Sequence, residues 1–351
     1  MTYQLPVTGP STNGSRSRAV HQFHPGAAYG DAITSGMLLT RRLLRELGFE
    51  SDIFVVNADE RLGDEVRLWN EYPSAPDNVL FVHHSLGHAT LDEVLRVPDQ
   101  KVLVYHNITP TEFFPDDPYL REHSELGRRQ LPDFRGAVVG SICDSQFNAD
   151  ELSALGFRDV AVVPLLIDAQ RPPREPWNAR IVDENAGVFT MLFVGRIERN
   201  KCQHDVIEVF RLVDRWLDRP VQCVFAGTYN PYVSYVGELQ RRAASYGLSQ
   251  RTRFLNHVTQ EDLYGWYRAA DVFVCMSEHE GFGVPLVEAM SFGVPVIAHA
   301  SSNVPHTLGG AGILVEGKPI EEIAASMWRS AGSAKASHRA SWPRTTRRRS
   351  A

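Results

Sequence analysis

Cysteine is scarce: four in 351 residues, Cys143, Cys202, Cys223 and Cys275, far apart and with no C-x-x-C pair. That spacing excludes a disulfide framework and a structural zinc site. Three of the four sit in apolar, strand-like runs and read as buried free thiols of a reducing compartment. No apolar run reaches about 18 residues, so no membrane-spanning helix is expected. The polar amino terminus (MTYQLPVTGPSTNGSRSRAV) has no apolar core, so no secretory signal is expected either and the reading is cytoplasmic. Acid is missing from residues 331–351, which carry six basic side chains (Lys335, Arg339, Arg344, Arg347, Arg348, Arg349); the net charge of −6 therefore leaves −12 on residues 1–330. A body that acidic is a poor candidate for broad nucleic-acid binding. The basic end reads as a tail without regular structure, with peripheral contact to an anionic membrane surface as the functional alternative.

With 43% hydrophobic and 22% charged residues, the chain has the balance of a folded protein and length for two domains of about 150 residues each. Short aliphatic runs alternate with amphipathic stretches. Strands are expected at Asp52–Val56, Val79–His83, Lys101–His106, Ala137–Ile142 and Val160–Val163. A second series follows at Thr190–Val194, Gln222–Ala226, Arg253–Asn256, Val272–Cys275 and Pro295–Ala298. Helical spacing marks Ala32–Leu47, Asp205–Leu217, Val233–Tyr246, Glu261–Arg268 and Val284–Ser291. Strand–helix alternation means parallel sheets covered on both faces. It breaks once, over Asp168–Glu184, with three prolines and charges of both signs. The expected division is a Rossmann-like domain over 1–170, a linker over 171–187, a second Rossmann-like domain over 188–330 and the tail. The fold class is α/β, two doubly wound domains facing a cleft.

The chemistry concentrates in Ser277–Met290, SEHEGFGVPLVEAM, which leaves the strand DVFVC and opens a helix near Pro285. Gly281 and Gly283 free the backbone for close approach, and the helix start offers unpaired N–H groups to an anion. Glu280 and Glu288 beside it make sense for a ligand with both phosphates and hydroxyls, since carboxylates accept from sugar or ribose hydroxyls. A second constellation, VGRIERNK over Val194–Lys201, also follows an apolar strand. Gly195 tightens the turn, Arg196 supplies a planar fork and Lys201 a point charge, together suited to two phosphates. Taken alone, such cations are as readily solvated surface. G-x-G-x-x-G is absent from the first strand–helix turn, Gly26–Ala32 (GAAYGDA), which argues against a nicotinamide enzyme.

Glu280-x7-Glu288 within E-G-F-G-x-P-x-x-E-A-M, with Gly195–Arg196 and Lys201 before it, resembles retaining glycosyltransferase family 4, the group 1 glycosyltransferases of GT-B fold. The resemblance spans about Ala19 to Trp328 and is strongest over 189–316. It implies a donor, a nucleoside diphosphate-sugar such as a GDP- or UDP-sugar, and a hydroxyl acceptor, a glycan or lipid-linked glycan, in cell-surface polysaccharide or glycoconjugate assembly. No cofactor and no metal are implied, and Asp116–Asp117 reads as a surface turn. Arg196 and Lys201 are then the diphosphate clamp, Glu280 orients sugar hydroxyls and Glu288 the ribose. Gly281, Phe282, Gly283 and Val284 form the phosphate-binding helix start. The resemblance places His257 and Val258 at the base, Gly30 beside phosphate and acceptor, and His106 against the donor sugar, in the catalytic set with Glu280, Arg196 and Lys201. His83, His106 and their neighbours at strand ends read equally as hydrogen-bonded core; His84, Ser85 and Gly87 are candidates for the acceptor side. Asp31, Ser145 and Thr259 read as helix caps. Two departures stand out: His306 in NVPH lies where relatives carry glutamate, and the chain after Trp328 lacks the family's further helices. The reading is a retaining transferase without a conventional nucleophile. The rivals are a GT-B sugar-nucleotide epimerase and a catalytically silent, glycosyltransferase-like subunit.

Overall fold

The computed structural model describes residues 19–168 and 172–333. Thirteen strands among them form two wholly parallel sheets, as expected of two doubly wound domains. The first contains β1 (Val20–Ala27), β2 (Ile53–Ala58), β3 (Arg67–Leu68), β4 (Val79–His84), β5 (Gln100–Tyr105), β6 (Gly140–Cys143) and β7 (Val160–Val162), in the order β3-β2-β1-β4-β5-β6-β7. The second contains β8 (Phe189–Val194), β9 (Val221–Ala226), β10 (Thr252–Phe254), β11 (Val272–Cys275), β12 (Val296–His299) and β13 (Ile313–Val315), in the order β10-β9-β8-β11-β12-β13. Strands β8 and β9 are buried at nearly every position, which is why FTMLFV and VQCVFA read as continuous apolar runs. Each sheet separates two apolar cores, one on either face.

Helices α1 (Ala32–Glu46), α2 (Leu91–Arg96), α3 (Pro118–Gln130) and α4 (Gln146–Ala154) cover the first sheet. The second domain adds α5 (Ala179–Glu184), α6 (Gln203–Trp216), α7 (Tyr235–Ser245), α8 (Gln260–Ala269), α9 (Val284–Ser291), α10 (Val304–Leu308) and α11 (Ile320–Ser333). The three expected caps are formed: Asp31 Oδ2 accepts from Thr34 N (3.0 Å), Ser145 Oγ from Asn148 N (3.2 Å) and Thr259 Oγ1 from Asp262 N (3.2 Å).

Two boundaries need correcting. The segment expected as a linker over 171–187 contains α5, which is tied to α8 by Asn178 Nδ2 donating to Asp262 Oδ1 (2.7 Å). Its second half therefore belongs to the second domain. Likewise α11 continues to Ser333, past the expected start of the tail at 331; residues 334–351, with the basic cluster, lie outside the described residues, as do 1–18.

In each sheet the strand order reverses once, between β1 and β4 and between β8 and β11. Ligands of doubly wound sheets bind at the carboxyl ends of strands at such a reversal. The loops leaving β8 and β11 carry the two glycine-containing motifs.

Candidate active site

The loop after β8 is built around a backbone crossing. Gly195 N donates to the Ala226 carbonyl (3.0 Å) and Ile197 N to that of Thr228 (3.0 Å), lacing the end of β8 to the end of β9. At Gly227, a Cβ would stand 1.9 Å from the Gly195 carbonyl oxygen, so no other residue fits. Arg196 follows with its side chain 55% exposed, held from below by Glu198 Oε1 at 3.1 Å. Burial pushes the Glu198 carboxyl above its ordinary range, and Arg196 opposes that shift. The chain then makes one tight helical turn, Arg199–Lys201, and enters α6.

Lys201 does not point to solvent. Its Nζ lies 2.8 Å from Glu280 Oε2 and 3.4 Å from the His279 carbonyl, and the pair is 19% and 14% exposed. Lys201 and the motif's first glutamate, 79 positions apart, thus meet across the reversal between β8 and β11. Glu280 N donates to Ser302 Oγ (2.8 Å), which anchors the loop from the far side. Beyond it, a Cβ on Gly281 would lie 2.6 Å from the His106 carbonyl of the first domain, so this glycine permits the domains to touch. Phe282 accepts at its carbonyl from Thr307 Oγ1, Gly283 caps α9 with φ at 90°, and Val284 begins the helix. Glu288, one turn in, accepts from Tyr267 OH at 2.8 Å. Burial raises the Glu288 carboxyl above its ordinary value and the tyrosine bond works against that.

His257 and Val258 lie in the loop after β10, whose Asn256 carbonyl accepts from Gly227 N at 3.1 Å. His257 Nε2 is 2.7 Å from Arg61 Nη1 of the first domain, and Arg61 in turn covers the Tyr29 ring at 5.0 Å. This chain of contacts joins the loop after β10 to the β1–α1 turn, where Gly30 adopts φ 80°.

The first-domain candidates divide. Both nitrogens of His106 are engaged, Nε2 with His83 Nδ1 at 2.7 Å and Nδ1 with Asp144 Oδ2 at 3.1 Å, and the side chain is 3% exposed. A ring contact with a donor sugar would have to break one of these bonds; what His106 presents to the second domain is its backbone. His84, expected on the acceptor side, donates to the Gly127 carbonyl (3.0 Å) in the core, and burial lowers it to about 4. Gly87 packs backbone to backbone on Gly127. Ser85 of that group pairs with a side chain of β1, its Oγ 3.2 Å from His24 Nε2. Asp116–Asp117 is no simple surface turn: Arg199 Nε donates to Asp116 Oδ2 (3.0 Å) and Asn230 Nδ2 to Asp117 Oδ2 (3.2 Å), both from the second domain. His306 is exposed on α10.

Among the described residues, one cluster has metal-ligand types, Cys202, His204 and Asp205, with ligand atoms within 4.8 Å of one another. An ammonium already serves it: Lys318 Nζ lies 2.7 Å from both Asp205 Oδ2 and Glu278 Oε1. Burial pushes the Cys202 thiol up to about 11, away from the thiolate a metal needs.

Sequence reasoning missed Gly227, Glu198, Tyr267, Ser302 and His279, with the Asn107 that the His279 ring meets. Gly227 alone of these carried a legible signal, a glycine directly after an apolar strand as at Gly195.

Residues 178–340 match the family described as glycosyl transferases group 1. The D-inositol 3-phosphate glycosyltransferase of Streptomyces bingchenggensis is 32% identical over 220 residues, 58% of this chain and 47% of that protein. O-antigen chain mannosyltransferase B of Escherichia coli is 28% identical over 139 residues, 40% of this chain and 36% of the relative. The chain thus spans about a third to a half of the length of these curated relatives. Among solved structures, Anabaena HepE in complex with UDP-glucose superimposes with a TM-score of 0.69 over 90% of each chain at 16% identity, a likeness of fold. Residues 178–340, the carboxyl-terminal domain, thus match the group 1 glycosyltransferases, and the two domains together have the GT-B fold.

Proposed function

We propose that the chain is a retaining glycosyltransferase that moves a sugar from a nucleoside diphosphate-sugar to a hydroxyl acceptor. The observation that carries this is the 2.8 Å pairing of Lys201 with Glu280 where β8 and β11 diverge. It puts a cation suited to phosphate and a carboxylate suited to sugar hydroxyls at one point. A diphosphate entering there competes with Glu280 for the ammonium. Lys201 turns to phosphate and Glu280 is released to accept from sugar hydroxyls, so charge and sugar are recognised in one exchange. Arg196, exposed and steadied by Glu198, closes on the diphosphate from the solvent side, and the start of α9 adds backbone N–H groups. Glu288, oriented by Tyr267, takes the ribose; the backbone at His257 and Val258 takes the base. The leaving diphosphate gathers the developing charge, so preorganised cations and N–H groups supply the largest catalytic effect.

With this clamp in place the reaction needs no metal, and a front-face route, in which a donor phosphate oxygen takes the acceptor proton, needs only positioning. The neighbour solved with UDP-glucose, a Xanthomonas oryzae relative named as a GDP-mannose-using mannosyltransferase and the O-antigen mannosyltransferase suggest UDP-glucose and GDP-mannose as first donors and a surface glycan as acceptor. A lipid-linked acceptor would bring the protein to the inner face of a membrane. The test is transfer from each donor with and without EDTA, following the first-formed anomer by proton NMR. Retention, unaffected by chelation, is expected. An inverted product removes the retaining assignment, and loss of activity in EDTA restored by magnesium removes metal independence.

A further inference from the structure

A continuous line of buried hydrogen-bonding side chains runs from the middle of the first sheet into the loop that carries Glu280. Gln22 Nε2 donates to the Met37 carbonyl (3.0 Å), so its Oε1 is left to accept from His83 Nε2 (3.1 Å). Burial keeps the His83 ring neutral, which makes its Nδ1 the acceptor for His106 Nε2. His106 Nδ1 meets Asp144 Oδ2, and Asp144 Oδ1 accepts from Asn148 Nδ2. Asn148 Oδ1 accepts from Asn107 Nδ2 at 2.9 Å, and Glu151 Oε2 accepts from the same nitrogen at 2.9 Å. With its amide hydrogens committed, Asn107 has only Oδ1 free, and this accepts from His279 Nε2 of the second domain at 2.8 Å. Each amide in the line is oriented by a carbonyl or carboxylate that cannot donate.

The end of the line is built for docking. Asn107 stands at φ 73°, a left-handed backbone that asparagine tolerates. His279 is 8% exposed, with its ring near Phe113 (6.2 Å) and Phe147 (5.9 Å) of the first domain. Its carbonyl accepts from Asn200 Nδ2 (3.3 Å) and Lys201 Nζ (3.4 Å). One residue thus has its side chain in the first domain and its backbone held by the clamp segment, directly before Glu280.

Building on the glycosyl-transfer reading, we propose that Asn107 and His279 are positioning residues whose hydrogen bond docks the first domain on the Glu280 loop and sets Glu280 and Lys201 for transfer. Neither touches the nucleotide, so the bond governs turnover and not diphosphate affinity.

Asn107→Gly keeps the left-handed backbone and removes only the amide; His279→Ala removes the donor, and His279→Gln restores an N–H. Asn107→Gly and His279→Ala should each lower kcat about tenfold, the size of a lost buried hydrogen bond. The nucleoside diphosphate Kd should stay within about twofold, the double variant should be no worse than either single, and His279→Gln should recover most of the rate. Small-angle scattering of the ligand-free chain should show a larger radius of gyration for Asn107→Gly than for wild type. Parallel loss of turnover and diphosphate affinity, or additive losses in the double variant, overturns the proposal. A wild-type chain that turns over no sugar nucleotide removes the glycosyl-transfer reading; scattering then decides docking alone, expansion supporting it and an unchanged radius overturning it.

Discussion

Glu288 shows how a single residue's surroundings translate into a measurable binding signature. Burial holds its carboxyl above the ordinary 4.5, so it takes up a proton at a higher pH than an exposed glutamate. A protonated carboxyl has lost accepting capacity for ribose hydroxyls, so on the proposed reading ribonucleoside affinity falls on acidification earlier than an ordinary glutamate would allow. Calorimetry with a nucleoside and its 2′-deoxy analogue at about pH 7 and pH 5 checks this, and omitting phosphate removes its own titration. Glu288→Gln should abolish both the ribose preference and its pH dependence; equal discrimination with and without the carboxylate would end the ribose role. The positions of Arg196, Lys201, Glu280 and Glu288 were legible, because apolar strands and glycine turns frame them and the family resemblance singles them out. Their partners were not. Tyr267 reaches Glu288 only through the packing of α8 beside α9, and Glu198 supports Arg196 only because the turn after β8 folds it inward. His106 illustrates the opposite limit: its strand-end position was legible, but the two bonds that occupy its ring come from β4 and the loop before α4.

At the scale of elements, the strand–loop–helix units place the site, and their tightest point is Gly227. Alanine there would put Cβ 1.9 Å from the Gly195 carbonyl oxygen, at a φ of 158°. The backbone crossing would have to separate, and Gly227→Ala should destabilise the chain by about 3 kcal/mol or more while weakening diphosphate binding. Denaturant unfolding and calorimetry check the two effects together; a variant of wild-type stability would contradict the crossing. The buried strands of the second sheet were legible to within a residue or two, since an unbroken apolar run between turn residues has few other uses. Helix α3 escaped, and α4 was marked only by its Ser145 cap, for a physical reason. The core-facing positions of α3 are Leu120, Ser124, Gly127 and Gln130, and those of α4 are Asn148, Ala149 and Leu152. Their spacing is helical, but small and polar residues hold those positions, Asn148 because it serves the hydrogen-bonded line and Gly127 because Gly87 packs on it. The period is there without the hydrophobicity that would reveal it. The α5 segment was obscured by its prolines, which precede the helix and do not interrupt it.

Across the whole molecule, buried histidines of the first-domain core and of the domain contact make stability sensitive to acid. Burial lowers His84 and His279 each to about 4, and holds His83 lower than its usual range. Between about pH 6.5 and pH 4 the unfolded chain binds protons at these positions and the folded chain does not, so stability falls as the pH falls. His84 and His279 should each remove about 2 kcal/mol between pH 7 and pH 5. Thermal unfolding across that range checks it, and a flat profile would contradict neutral burial of these rings. The central claim is that the loops after β8 and β11 form one diphosphate site. Calorimetric titration of the full chain with GDP and UDP, beside guanosine and uridine, tests it most directly when repeated on Lys201→Ala and Arg196→Ala. The account predicts that one of the diphosphates binds the wild type and that both substitutions weaken it, Lys201→Ala by about 10- to 100-fold as expected of a lost charge-assisted contact, while the matching nucleoside is nearly unaffected. Equal loss for diphosphate and nucleoside, or no diphosphate binding by the wild type, would contradict it.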